Sequence, residues 1–324
     1  MRPLPRSVVV LSTIALASTG LALGAGSASA ALTTHCDGSA ADVTVPGDLV
    51  VAKGDSCVLT NVTVEGEVRV RADADLLLTD STIADRVVVR ADGYVDSVGT
   101  TIGGNVISHG GYGVYLDQSS VAGAYRGQAA DGADPFLYSY DSSIEGRVNV
   151  AQGAVHLETV TVGGNVTTEN TVYTDIIDST LARDLTVTGN AEGTAVCASE
   201  VDGAVTATGN AGVQLGIGDG IVNCEDGNYF GSDVTVSENT DGTDVSGNII
   251  RGALTGEANQ PAPTGSDNRV RGEVGGQFTD LAPAMRTMSA SATEDHAEQL
   301  DTQRAERRAA AEKAAEHAGP ANLR

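Results

Sequence analysis

The chain has 324 residues, 43 Asp or Glu against 19 Lys or Arg, a formal net charge of −24, no Trp and three Phe. A surface of that sign repels nucleic acid and anionic lipid, which excludes both as partners. So few aromatic residues also exclude a conventional globular core of this length and leave a thin, aliphatic one.

Residues 1–30 read as a signal peptide. Arg2 and Arg6 give a positive start, Val8 to Leu23 an apolar stretch, and Ala28-Ser29-Ala30 a small-residue cleavage site. The expectation is an exported protein, secreted and extracellular or cell-wall associated, with no membrane insertion after signal cleavage. Cys36 lies too far past the cleavage site for lipid attachment to a leading cysteine. Lys53 and Lys313 are the only lysines, and Ala, Gly, Val, Asp and Thr dominate, a skew typical of GC-rich bacterial genomes.

From Ala31 to Ala282 a short unit, apolar-x-Gly-x-apolar, recurs. It reads Val64-Glu65-Gly66-Glu67-Val68, Ile102-Gly103-Gly104-Asn105-Val106, Ile144-Glu145-Gly146-Arg147-Val148 and Val162-Gly163-Gly164-Asn165-Val166. Further copies centre on Gly203, Gly252 and Gly272, and Asp85 and Arg183 stand in the Gly position of two others. The first apolar residues fall at 64, 83, 102, 121, 144, 162, 181 and 201. Alternation such as Val68-Arg69-Val70 marks strands with one face inward, and the Gly relieves a bend between two of them. A second half-repeat ends in an acid beside Ser or Thr, at Asp80, Asp117, Asp141, Glu158 and Asp178.

A period near 19–20 residues predicts an all-β fold, a single-stranded right-handed parallel β-helix. Ten or eleven coils at roughly 4.8 Å each make a rod of about 50 Å. Both open ends need protection. Val45-Pro46-Gly47-Asp48 and a Cys36–Cys57 bridge suit a first cap, and the turn-rich Ala258 to Gly265 interrupts the pattern before a last coil. Four cysteines in an exported chain allow three pairings. Cys36 with Cys57 and Cys197 with Cys224 is preferred, because each separation is near one coil.

Six of the eleven aromatic residues, Tyr112, Tyr115, Tyr125, Phe136, Tyr138 and Tyr140, straddle the longest early step, where Gly127 to Pro135 form an insertion. They are the candidate ligand-binding residues, for tyrosines on an open β-face stack on sugars or anchor a protein; the competing reading is that they pack under the insertion. The acids of the second half-repeat, and those from Asp219 to Asp244, make calcium the one cofactor to consider, although turn chemistry explains Asp beside Ser more simply. No metal site is expected.

Residues 283–324 form a separate Ala/Glu/Arg-rich tail, helical or disordered. Ser291-Ala292-Thr293-Glu294 has the pattern of a helix start, and Gly319-Pro320 that of a stop. Leu300 is the one large aliphatic residue between them, so the expectation is a solvated, frayed helix without a coiled-coil seam.

The run from Val45-Pro46-Gly47 through Cys57-Val58-Leu59-Thr60 into the Gly repeats resembles the start of uncharacterised secreted parallel β-helix proteins of GC-rich Gram-positive bacteria. Asn259-Gln260-Pro261-Ala262-Pro263-Thr264-Gly265, followed by Val270-Arg271-Gly272 and Gly276-Gln277, resembles their terminal motif. The resemblance covers roughly residues 31–281. It implies a terminal disulfide near Thr255 or Gly256 and Phe278, where this chain has no cysteine. The repeat is also similar to that of bactofilins, cytoplasmic polymer-forming β-helix proteins without signal peptides.

No catalytic residue follows from these resemblances. Asn239-Thr240-Asp241 matches one polygalacturonase motif, but the Asp-Asp, Gly-His-Gly and Arg-Ile-Lys that should follow are missing, and no arginine is marked by spacing as a lyase base. The sequence thus reads as an exported, non-enzymatic structural or surface-interaction scaffold, with cell-wall glycan or self-association as its partner classes. The alternative is a carbohydrate-binding or polysaccharide-cleaving protein that uses the tyrosine region.

Overall fold

In each turn of the backbone, three short strands are separated by corners: for example Val68–Val70, then Asp75–Thr79, then Thr82–Ile83. A computed structural model of the chain describes residues 32–130, 135–283 and 296–323. In it, equivalent strands stack in register and in parallel into sheets A, B and C, of 12, 11 and 12 strands, which form a right-handed β-solenoid of about 12 coils. The chain visits the sheets in the order A, B, C.

The count exceeds the expected ten or eleven coils because it takes in a coil at each end that the spacing from Val64 to Val201 does not cover. The first, from Thr33–Cys36 to Thr44–Val45, closes on Val45-Pro46-Gly47-Asp48-Leu49, which already carries the apolar-x-Gly-x-apolar pattern. The last has no strand in sheet B; Pro261 and Pro263 lack the N–H a ladder requires, so only isolated bridges such as Asp244 to Thr264 form there.

Inward residues of the three sheets meet in one continuous aliphatic core. The motif's first apolar residues, from Val64 and Ile83 through Ile102, Val121 and Ile144 to Ile250, end the sheet C strands and are fully buried. The motif Gly marks the corner from sheet C to sheet A. A Cβ at Gly104 would stand 2.8 Å from the Arg86 backbone N, and one at Gly146 would be 2.6 Å from the Gly123 O. Close stacking of successive corners therefore selects Gly there. Left-handed backbone occurs instead at the B-to-C corner, at Asp80 (φ 49°), Asp141 (45°) and Asp178 (47°), where Asp tolerates it.

Two internal ladders of polar side chains line the corners. Beside the B-to-C corner, Ser119 N donates to Ser142 Oγ at 2.9 Å, Ser199 N to Asn228 Oδ1 at 2.9 Å, and Asn228 N to Asn248 Oδ1 at 3.1 Å. Beside the A-to-B corner, Asn190, Asn210, Asn239, Asn259 and Gln277 repeat the arrangement. Each rung satisfies a backbone N–H that the turn leaves without a strand partner.

Disulfides join Cys36 to Cys57, between the first two coils, and Cys197 to Cys224, which ties the irregular stretch after Gly216 to sheet B. Gln214 pins that same stretch: its Oε1 accepts from Ile221 N at 2.7 Å, and its Nε2 donates to Val222 O at 2.9 Å.

The tail does not stand in solvent as expected. Helix α1 (His296–Ala318) lies against the sheet B strands Gly38–Ala41, Ser56–Thr60 and Asp75–Thr79, within one compact unit with the solenoid. Beyond it the chain extends sheet B past its first strand. Ser39 N donates to Gly319 O at 3.0 Å, Ala321 N donates to Ser39 O at 2.7 Å, and Leu323 is buried against the core of the first coil.

Candidate binding face on sheet B

Five-residue strands in sheet B direct their first, third and fifth side chains outward. Register then builds columns, and the central one runs Leu77, Asp96, Tyr115, Tyr138, His156 and Asp175. Tyr94 and Phe136 stand in the neighbouring column. Outward side chains on a solenoid are ordinarily wet; here Asp96 is 0% exposed and Tyr138 is 0%.

The structure brings five of the six candidate aromatics together on this face and separates the sixth. Tyr112 meets Phe136 edge-on at 5.6 Å between ring centres, Tyr115 lies 5.6 Å from Tyr140, and Phe136 lies 5.4 Å from Tyr138. Tyr125 occupies an inward position of sheet A, in the aliphatic core beside Gly127, whose missing side chain makes room for the ring. Tyr125 is therefore withdrawn from the set. Burial alone raises its phenol above the usual range.

The face is not an open groove. Arg304, Arg307 and Arg308 of α1 lie over it. Arg304 Nε donates to Asp96 Oδ2 at 3.0 Å while its guanidinium carbon sits 3.3 Å above the Tyr115 ring centre. Arg308 Nη1 donates to the other oxygen of Asp96 at 2.6 Å, and Tyr94 OH donates to Oδ2 at 2.8 Å. Arg307 reaches Asp75 Oδ1 at 2.7 Å and the Asp92 O at 2.9 Å, and lies 4.8 Å over Tyr112. Ala311 and Ala315 then press flat onto the sheet, both buried. Small residues at those positions allow the close approach.

Electrostatics follow from this enclosure. Burial pushes the Asp75 carboxyl up, and the Arg307 hydrogen bond works against it. Burial likewise raises the Tyr115 phenol to about 12, with Arg304 opposing. Farther along the face, His156 Nε2 lies 3.1 Å from Glu158 Oε2 and Nδ1 lies 4.0 Å from Asp175 Oδ2. Burial disfavours the imidazolium, but Asp175 and then Glu158 outweigh it and hold the His156 pKa up at about 9. A histidine protonated at neutral pH is no general base there.

Sequence reasoning missed Tyr94, Tyr173, His156, Asp75 and Asp96. The signal was present: Asp75, Asp96, His156 and Asp175 share outward positions with Tyr94, Tyr115, Phe136, Tyr138 and Tyr173, and Arg304, Arg307 and Arg308 share one helical face at i, i+3, i+4 spacing.

The other candidates have structural places. Asp80, Asp141 and Asp178 make the B-to-C corner, whereas Asp117 and Glu158 end sheet B strands one residue earlier, so the five acids form no single column. Asn239 is a ladder rung and Asp241 a left-handed residue at the irregular start of the sheet B strand Thr240–Ser246, which accounts for the polygalacturonase-like triplet. Among the described residues no three His, Cys, Asp or Glu side chains are grouped to hold a metal ion, and no helix there is long and apolar enough to cross a membrane. The segment read as a signal peptide, part of the Gly127 to Pro135 insertion and the helix-start pattern at Ser291 to Glu294 lie outside the described residues. No family model, curated relative or solved structure matches the chain.

Proposed function

We propose that this chain is an exported, non-catalytic β-solenoid scaffold that presents folded surfaces and performs no chemistry of its own. One observation carries the reading: the richest cluster of aromatic and ionisable side chains, Tyr94, Tyr115, Asp75 and Asp96, is engaged by Arg304, Arg307 and Arg308 of the same chain. A face filled in this way serves cohesion. Two disulfides support export to an oxidising compartment.

The carbohydrate-active alternative loses its main support, because it needs the tyrosine face open to a polysaccharide. The test is incubation of the full chain with plant and bacterial polysaccharides, followed by product analysis and glycan binding. No new reducing ends or unsaturated products are expected. Release of oligosaccharides by the purified chain, abolished by a substitution on sheet B, would overturn the scaffold reading.

A further inference from the structure

The covering of sheet B has an unusual construction. Helix α1 comes after Pro283, near the last coil, and its described contacts run from Tyr115 in the fifth coil, under Arg304, back to the strands of the first three coils, while residues 319–323 pair with Ser39 of the first coil. The tail thus lies back along sheet B, and its last residues dock at the end of the solenoid opposite its attachment, about eleven coil spacings or roughly 50 Å away. Its surface carries no large aliphatic residue between Asp301 and Ala318. It is held by arginine–carboxylate pairs with partly exposed guanidiniums, by Ala311 and Ala315, and by the terminal strand with Leu323.

What the tail covers is far less tolerant of exposure. Without it, Asp96 loses both guanidiniums, the first strand of sheet B presents the Ser39 N–H and C=O as an open edge, and the hollow filled by Leu323 is bare. An identical tail from another molecule supplies every one of these groups with the same geometry. Two chains that exchange tails reciprocally bury the same contacts twice and close a two-fold assembly without any new surface.

We infer that the sheet B face and the first-coil edge are an interface for a second copy of this chain, which inserts its residues 296–323 in place of the resident tail. The occupant is specified by chemistry: guanidiniums at three positions matched to Asp75 and Asp96, small side chains one and two turns on, and a strand ending in a buried Leu. This goes beyond the scaffold reading and does not depend on it.

Ser39 and Pro320 face each other across the tail bridge, and both are exposed. Directly opposed residues of paired strands stand within the reach of a disulfide. The described chain has no free cysteine to interfere. Full-length Ser39→Cys and full-length Pro320→Cys are mixed and allowed to oxidise, with the Ser39→Cys/Pro320→Cys double variant as the internal control. Exchange predicts mixed covalent dimers several-fold in excess of either homodimer, with a yield that rises with concentration. Arg304→Ala/Arg308→Ala in the Pro320→Cys partner should lower that yield several-fold. Mixed dimers no more frequent than homodimers, while the double variant closes internally, would overturn the inference. So would sedimentation of the unaltered chain as a monomer from micromolar to millimolar concentration, a measurement that needs no substitution to fold.

Discussion

Arg304 sits 3.3 Å above the ring centre of Tyr115 while donating its Nε to Asp96 at 3.0 Å, so one guanidinium joins a ring and a buried carboxylate from adjacent coils. Stacking and charge pairing in one residue explain how a helix with no apolar stripe settles on a sheet. The pair also identifies where the tail is most sensitive to change.

Removal of both arginines leaves Asp96 buried without its cationic partners. Arg304→Ala/Arg308→Ala is expected to cost about 3–5 kcal/mol of docking, the usual penalty for stranding one side of a buried pair. Loss of protection against proteolysis after Ala282, at unchanged far-UV β signal, is the measurement. Asp96→Asn in the same background should restore part of the loss, because a neutral amide is cheaper to bury than a bare carboxylate.

Gly38 has φ +102°, and a Cβ there would run into Gly319 O. Gly38→Val should therefore expel the terminal strand at a cost on the order of 1–3 kcal/mol of backbone strain. Amide hydrogen exchange reads this directly: the Ser39 N–H, now bonded to Gly319 O at 3.0 Å, should exchange faster, while amides of the central coils stay protected.

His156 makes stability depend on pH in a definite direction. Its folded pKa of about 9 lies above the ordinary 6.5, so the folded state binds the proton more tightly. The stabilisation is complete below about 6.5 and is lost as pH rises through about 9. Denaturant midpoints measured across that range should fall on the alkaline side, and His156→Gln should flatten this part of the profile while lowering stability at neutral pH.

Within the inner ladder, Asn228 accepts from Ser199 N at 2.9 Å and donates to Val196 O at 2.7 Å and Asn248 Oδ1 at 2.9 Å. Asn228→Ala leaves these groups unpaired in a dry interior, at about 1–3 kcal/mol for each one not rescued. Thermal unfolding should show the loss. Asn228→Ser should recover part of it, since Ser142 and Ser179 fill equivalent rungs.

The solenoid was legible because its physics is periodic. A buried Val or Ile every coil and a Gly wherever backbones stack closely repeat often enough to be seen, and the sequence spacing carried the coil length. The B-to-C corner was legible for the same reason, through Asp beside Ser. The coverage of sheet B was not, since it depends on residues some two hundred positions apart: nothing local to Asp96 announces Arg304, and helix α1 buries Ala and Arg where an apolar stripe is the usual sign of docking. Tyr125 misled because proximity in sequence placed it with the other rings, whereas strand alternation in sheet A turned it inward.

The bridge from Ser39 to Pro320 gives the molecule a dependence on chain order. The first coil to leave a ribosome is the last to be sealed, because residues 319–323 are its final strand and its plug. A product that stops short of Gly319 would carry every repeat and both disulfides and still expose a sticky edge at its amino-terminal end. Sealing that edge therefore requires residues 319–323, whether from the same chain or from a second copy.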